Sequence, residues 1–131
     1  MNAAKLTVQI FGTKKCQDTR KAERFFKERG VPVHAVDLAQ KGMSAGELRN
    51  VAARVGGVEA LIDREGARYA AKALQYAAPT GPRIEQILVD DPLLLRTPIV
   101  RAGARATVGY APDAWAAWLA AGTEGTEGPL R

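Results

Sequence analysis

Leu6-Thr-Val-Gln-Ile-Phe-Gly-Thr-Lys-Lys-Cys-Gln-Asp-Thr-Arg20 is the stretch whose reading decides the fold. Residues 6–11 read as a β-strand, residues 12–15 as the loop that follows, and residues 18–29 as an amphipathic helix. Cys16, the only cysteine of the chain, falls at the strand-to-helix junction. A thiol there meets unpaired backbone N–H groups and the positive end of a helix dipole. Lys14, Lys15 and Arg20 add positive charge nearby. Each of these influences favours the thiolate, which is the nucleophilic form of cysteine. Cys16 is therefore a candidate nucleophile rather than an inert core residue.

Outward from this junction, the helix places Ala22, Phe25 and Phe26 on one side and Lys21, Arg24, Lys27 and Glu28 largely on the other. Gly30 is positioned as its C-terminal cap. Residues 31–38 read as a second strand, with Pro32 near the start, where a missing N–H does least harm. Strand, helix and strand make a βαβ unit. Ser44-Ala-Gly-Glu47 is a capping-box signature opening a helix with Leu48, Val51, Ala52 and Val55 at core spacing, stopped by Gly56-Gly57. Residues 58–76 read as helical but broken at Gly66. Residues 77–82 read as a loop, and a short helix with Ile84, Ile87 and Leu88 on one face follows, ended by Asp90-Asp91-Pro92.

Residues 99–102 and 106–109 read as the strands of a hairpin turning around Gly103. Pro112 opens a closing helix whose Trp115, Trp118 and Leu119 dock on the core. The order βαβ, helices, ββα is the thioredoxin arrangement: an α/β fold with a mixed sheet, helices on both faces and a helical insertion between the halves. Thr97-Pro98, before the hairpin, is where that fold puts a cis-proline beside the active thiol. One domain is expected over residues 1–121, with a frayed polar tail over 122–131.

The composition narrows the function classes. One cysteine among 131 residues forbids an intramolecular disulfide and a cysteine-only zinc or iron–sulfur site. No apolar run approaches the ~20 residues of a membrane span. The N-terminus lacks a signal peptide's pattern, so a cytoplasmic location is expected. The net charge of +5 is spread among 14 acidic residues with no nucleic-acid-reading motif, which suits a small anion better than a nucleic acid. No metal motif or phosphate-binding glycine fingerprint is present, so no bound cofactor is expected. His34, the sole histidine, lies within the second strand and offers no cysteine–histidine dyad.

Four stretches resemble the arsenate-reductase family, which includes Spx-type relatives: Ile10-Phe-Gly-Thr-Lys-Lys-Cys-Gln-Asp-Thr-Arg20 leading into Phe25-Phe26, Leu61-Ile-Asp-Arg-Glu-Gly66 through Tyr69, Leu93-Leu-Leu-Arg-Thr-Pro-Ile-Val100, and Val108-Gly-Tyr110. The resemblance implies that Cys16 attacks arsenate to form a thiol–arsenate adduct, with Arg20 matching the family arginine four residues later. Helix-end N–H groups and guanidinium forks are the donors an oxyanion needs. The substrate-binding candidates are the loop around Lys14, Lys15, Gln17 and Asp18, together with Arg64, Arg96, Thr97 and Pro98. With no second cysteine, the resolving thiol must be external: glutathione, another low-molecular-weight thiol, or a glutaredoxin-like protein.

The chain also departs from the family pattern. Thr97 stands where glutathione-linked members have an arginine before Pro-Ile-Val. Asp63 stands at the position of a second arginine, Tyr110 at that of a third, and Gly12 at that of a histidine. Arg64 and Arg96, each one residue away, are the candidate replacements. Two alternatives follow: a general thiol-disulfide or deglutathionylating oxidoreductase, and a Spx-like regulator that binds RNA polymerase. Such regulators use a Cys-x-x-Cys switch, and Thr19 replaces its second cysteine here.

Overall fold

A computed structural model describes residues 6–77 and 79–121, and the tail expected over 122–131 lies outside them. In chain order the elements are β1 (Val8–Gly12), α1 (Gln17–Glu28), β2 (Val33–Asp37), α2 (Ala45–Val55), α3 (Ala67–Ala71), α4 (Leu74–Ala77), α5 (Gly81–Asp90), β3 (Ile99–Ala102), β4 (Arg105–Val108) and α6 (Pro112–Ala121). Single 3-10 turns occupy Val58–Ala60 and Pro92–Leu94. The chain divides into two compact units. One is built from the segments up to Asp37 and from Thr97 onward, the other from Leu38–Arg96.

The first unit holds a sheet of order β2-β1-β3-β4. β1 runs parallel to β2, with Gly12 opposite Asp37, and antiparallel to β3, with Phe11 opposite Ile99. β3 and β4 form the antiparallel hairpin. This is the expected mixed thioredoxin-like sheet. Alternate residues of a strand face opposite sides. Val8 and Ile10 of β1 therefore share a face with Val100 and Ala102 of β3, and Ala22, Phe26, Trp115 and Trp118 pack on it. Both α1 and α6 thus cover one face of the sheet. Trp115 is the centre of this core. Its ring lies 5.4 Å from Phe25 and 5.5 Å from Phe26 by centroid, and its indole N–H donates to Thr107 Oγ1 at 2.8 Å. A buried indole needs such an acceptor to offset lost hydration.

The helix ends follow the sequence signals. α1 closes as Val31 N–H donates to Phe26 O at 2.9 Å and Gly30 N–H to Lys27 O at 3.1 Å, with Gly30 at φ +74°. That pair of bonds is a Schellman motif, and glycine bears its left-handed residue without strain. β1 begins two residues later than expected and reaches Gly12, because Val8 N–H is the first to find a partner, the Pro32 carbonyl at 3.1 Å. The second hairpin strand is shifted one residue toward the turn, to Arg105–Val108, because Gly109 leaves the strand conformation at φ +83°.

In the second unit, Ser44 Oγ accepts from Glu47 N–H at 3.1 Å and Glu47 Oε1 accepts from Ser44 N–H at 3.0 Å, which completes the expected capping box. Leu48 and Val51 of α2 and Ile84 and Leu88 of α5 are buried. The interrupted helix expected over 58–76 is corrected here. Residues 61–65 are not helical: Ile62 bridges Leu95, Asp63 N–H donates to Leu94 O at 2.8 Å, and Arg96 N–H donates to Leu61 O at 2.7 Å. Leu61 and Ile62 are both buried. The distant backbone partner overrides the local helical pattern, a competition that short-range periodicity does not register.

Candidate functional site

Cys16 is the N-cap of α1, with extended backbone (φ −79°, ψ 117°), and its carbonyl accepts the first helical bond from Arg20 N–H at 3.2 Å. An N-cap side chain faces the free N–H groups of the first turn. Its own N–H is taken by the Thr13 carbonyl at 3.2 Å, which folds the loop back under the thiol. The pair Phe11–Ile99 sets the register of β1 against β3, so the residues just before β3 return to the loop after β1. Thr97 arrives there and bonds Sγ from across the sheet. Its hydroxyl donates to Sγ at 3.1 Å, and the thiol points back at the Thr97 carbonyl, 3.8 Å away. The Thr97–Pro98 peptide bond is cis, at the position the fold implied.

Burial is the largest single influence on the thiol and pushes its pKa up. Against it act the Thr19 hydroxyl, the Thr97 hydroxyl and the backbone N–H groups of Thr19 and Asp18. Together these carry the pKa below the usual value. The largest stabilising influences are thus neutral donors rather than the cationic side chains on which the sequence reading leaned. They favour the thiolate because a hydrogen bond to the charged form holds that form.

Lys14, Lys15, Gln17 and Arg20 are exposed. The Arg20 guanidinium donates to the Lys14 carbonyl at 3.3 Å, bracing the loop before the thiol. Asp18 is half-buried and gives its N–H to the site. A recess of ≈350 Å³ is lined by Gly12, Lys14, Thr19, Arg20, Glu23 and Asp37, among others.

Arg64 and Arg96 belong to the second unit. Both line another recess of ≈350 Å³ with Glu59, Asp63 and Glu65. Arg64 is 3.8 Å from Glu59, and the Arg96 guanidinium donates to the Ala60 carbonyl at 3.4 Å. Tyr110 packs edge-on against Trp115 at 5.7 Å, with the Lys21 ammonium 5.3 Å from its ring centre.

Thr19 is the participant that the sequence reading missed. In the sequence it stands out only as the place of an absent cysteine. The available signal was its spacing: three residues after an N-cap, a side chain points back toward the cap.

Residues 11–118 match the family model described as the ArsC family. The chain belongs to the ArsC family. Relatives agree with this placement. The solved YFFB protein is similar to it at 25% identity, with a TM-score of 0.76 over 84% of this chain and 96% of that one. An arsenate reductase from Vibrio cholerae shares the fold at 20% identity and a TM-score of 0.74, over 84% and 95% of the two chains. Global transcriptional regulator Spx 2 of Oceanobacillus iheyensis is 26% identical over 109 residues, 82% of this chain and 80% of the relative. Among the described residues no cluster of potential metal ligands occurs, and no helix is long and apolar enough to cross a membrane.

Proposed function

We propose that this protein is a single-cysteine thiol oxidoreductase of the cytoplasm that reduces arsenate through a covalent adduct on Cys16. The observation that carries this reading is the thiol at the N-cap of α1, with the Thr97 hydroxyl donating to Sγ at 3.1 Å. The thiolate attacks arsenic(V), forming a sulfur–arsenic bond as one arsenate oxygen leaves as water. An external thiol then attacks the Cys16 sulfur. The sulfur–arsenic bond breaks, its electron pair reduces arsenic(V) to arsenic(III), and arsenite departs. A second equivalent of the external thiol frees Cys16 from the resulting mixed disulfide, so two thiols become one disulfide for each arsenate. The N–H groups of the first helical turn and the Arg20 side chain are the proposed oxyanion donors, with Lys14 and Lys15 supplying a positive approach.

A specific observation also favours thiol exchange on mixed disulfides. The position before the cis-proline carries a hydroxyl that bonds the sulfur, and this leaves the attacking atom surrounded by neutral donors. A mixed disulfide is attacked at neutral sulfur and does not need a guanidinium clamp.

Arsenite formation measured with glutathione, a small dithiol and a glutaredoxin, for wild type and Cys16→Ser, tests the first reading. Turnover by the wild type and none by the variant is expected. Absence of arsenite with every donor, together with reduction of a glutathionylated peptide, would transfer the assignment to thiol exchange.

A further inference from the structure

Gly12 is the last residue of β1 and lies on the face that α1 covers, since it alternates with Ile10 and Val8. It is absent from the glycines with positive φ, so its backbone conformation is one that any residue adopts. What demands glycine is space. A Cβ at this position would overlap the side chain of Thr19, meeting its Oγ1 and Cγ2 and lying 2.9 Å from its Cβ. Thr19 is in turn only 4% exposed and is the one buried polar residue among the described ones. Its hydroxyl oxygen has no hydrogen-bond partner. A buried hydroxyl with no partner is disfavoured, and in a native fold it calls for an explanation.

We propose that Gly12 is a positioning residue, whose missing side chain seats Thr19 so that its buried hydroxyl meets the Cys16 sulfur as negative charge forms there. In the thiol state the hydroxyl is an unused donor. When the thiol proton passes to solvent, Sγ becomes the acceptor that hydroxyl lacks, so the structure favours the ionised form. The influence of the Thr19 hydroxyl on the Cys16 thiol agrees with this geometry. The other charged groups adjoining Cys16 in the chain are Lys14, Lys15, Asp18 and Arg20, and the facing Thr97 and Pro98 are neutral. The proposal rests on Cys16 being the nucleophile and names what poises it.

The test is the pH dependence of Cys16 alkylation by iodoacetamide, with circular dichroism to verify the fold. Thr19→Val keeps the shape and removes the hydroxyl. It is expected to slow alkylation at pH 7 about three- to tenfold through a raised thiol pKa, whereas Thr19→Ser stays near wild type. Gly12→Ala is expected to raise the thiol pKa by a similar amount. In a Thr19→Ala background, where the overlap is relieved and the hydroxyl is gone, the same Gly12→Ala exchange is expected to add nothing. That background also decides the matter if Gly12→Ala alone fails to fold. An unchanged pKa in Thr19→Val, or a full Gly12→Ala effect in the Thr19→Ala background, overturns the proposal. Loss of the arsenate reading leaves these titrations untouched, and loss of the titration effect leaves turnover untouched, so the two failures are distinguishable.

Discussion

At the thiol end of the first unit, Sγ is held by neutral donors fixed by buried neighbours. In the second unit, the long-range side-chain pairings are charged groups near water: Arg49 with Glu85 at 3.1 Å, and Arg68 and Lys72 with Asp91 at 2.8 and 3.3 Å. The difference follows from what each arrangement must resist. Exposed ion pairs are screened by water and salt and spend side-chain entropy, so they contribute little each. Neutral donors set by a sheet register and a helix cap keep their positions without a counter-charge, and salt barely affects them. The first arrangement suits a reacting atom, whereas the second mainly joins helices.

The largest test of this contrast is Trp115→Ala. It removes the indole that Phe25, Phe26 and Thr107 share, and is expected to lower unfolding free energy by about 3–5 kcal/mol in urea titrations. A loss under 1 kcal/mol would mean that the core beneath the site is not the rigid support described.

Thr97→Val comes next. It removes the hydroxyl bonded to Sγ and is expected to raise the thiol pKa, read from alkylation rates against pH. The sign is fixed by the lowered folded pKa. The stability linked to the thiolate is fully present above the unfolded value of ~8.5, and is lost as pH falls through the folded value. Thr97→Val narrows that window.

A smaller effect is expected for Asp91→Asn. Burial pushes the Asp91 carboxyl up, but bonds from Arg68 and Lys72 and their charges outweigh it and hold the pKa below the ordinary range. The carboxylate therefore stabilises the fold above the unfolded value of ~3.9, and that contribution disappears as pH falls through the lowered folded value. Both cationic partners are well exposed, so the loss at pH 7 is about 0.5–1 kcal/mol, shrinking as pH falls through the lowered folded value. Equal losses at pH 7 and at pH 2 would show that the charge is irrelevant.

Smallest of all is Arg49→Ala, expected to cost about 0.3 kcal/mol and to become undetectable in 1 M salt. A salt-insensitive loss above 1 kcal/mol would erase the contrast between the units.

The elements legible in the sequence were those with local causes. The Ser44–Glu47 capping box, the glycine closing α1, the turn at Gly103 and the apolar stripe of α1 each depend on residues a few positions apart. Cys16 was legible for the same reason, since a strand followed by a helix places the intervening residue at the cap. The segment 61–65 was misread because its backbone partners are Leu94, Leu95 and Arg96, some thirty residues on.

The sequence by itself determined that one thiol begins a helix after a strand, and that any resolving thiol must come from outside the chain, because both follow from order and composition. Only the tertiary structure decided what lowers the thiol pKa. Thr97 lies 81 residues from Cys16 and reaches it through the β1–β3 register, and the Thr19 side chain is packed directly against Gly12 of β1. A hydrogen bond depends on distance and direction, which a sequence fixes locally along a helix but across a sheet only once the strands have paired.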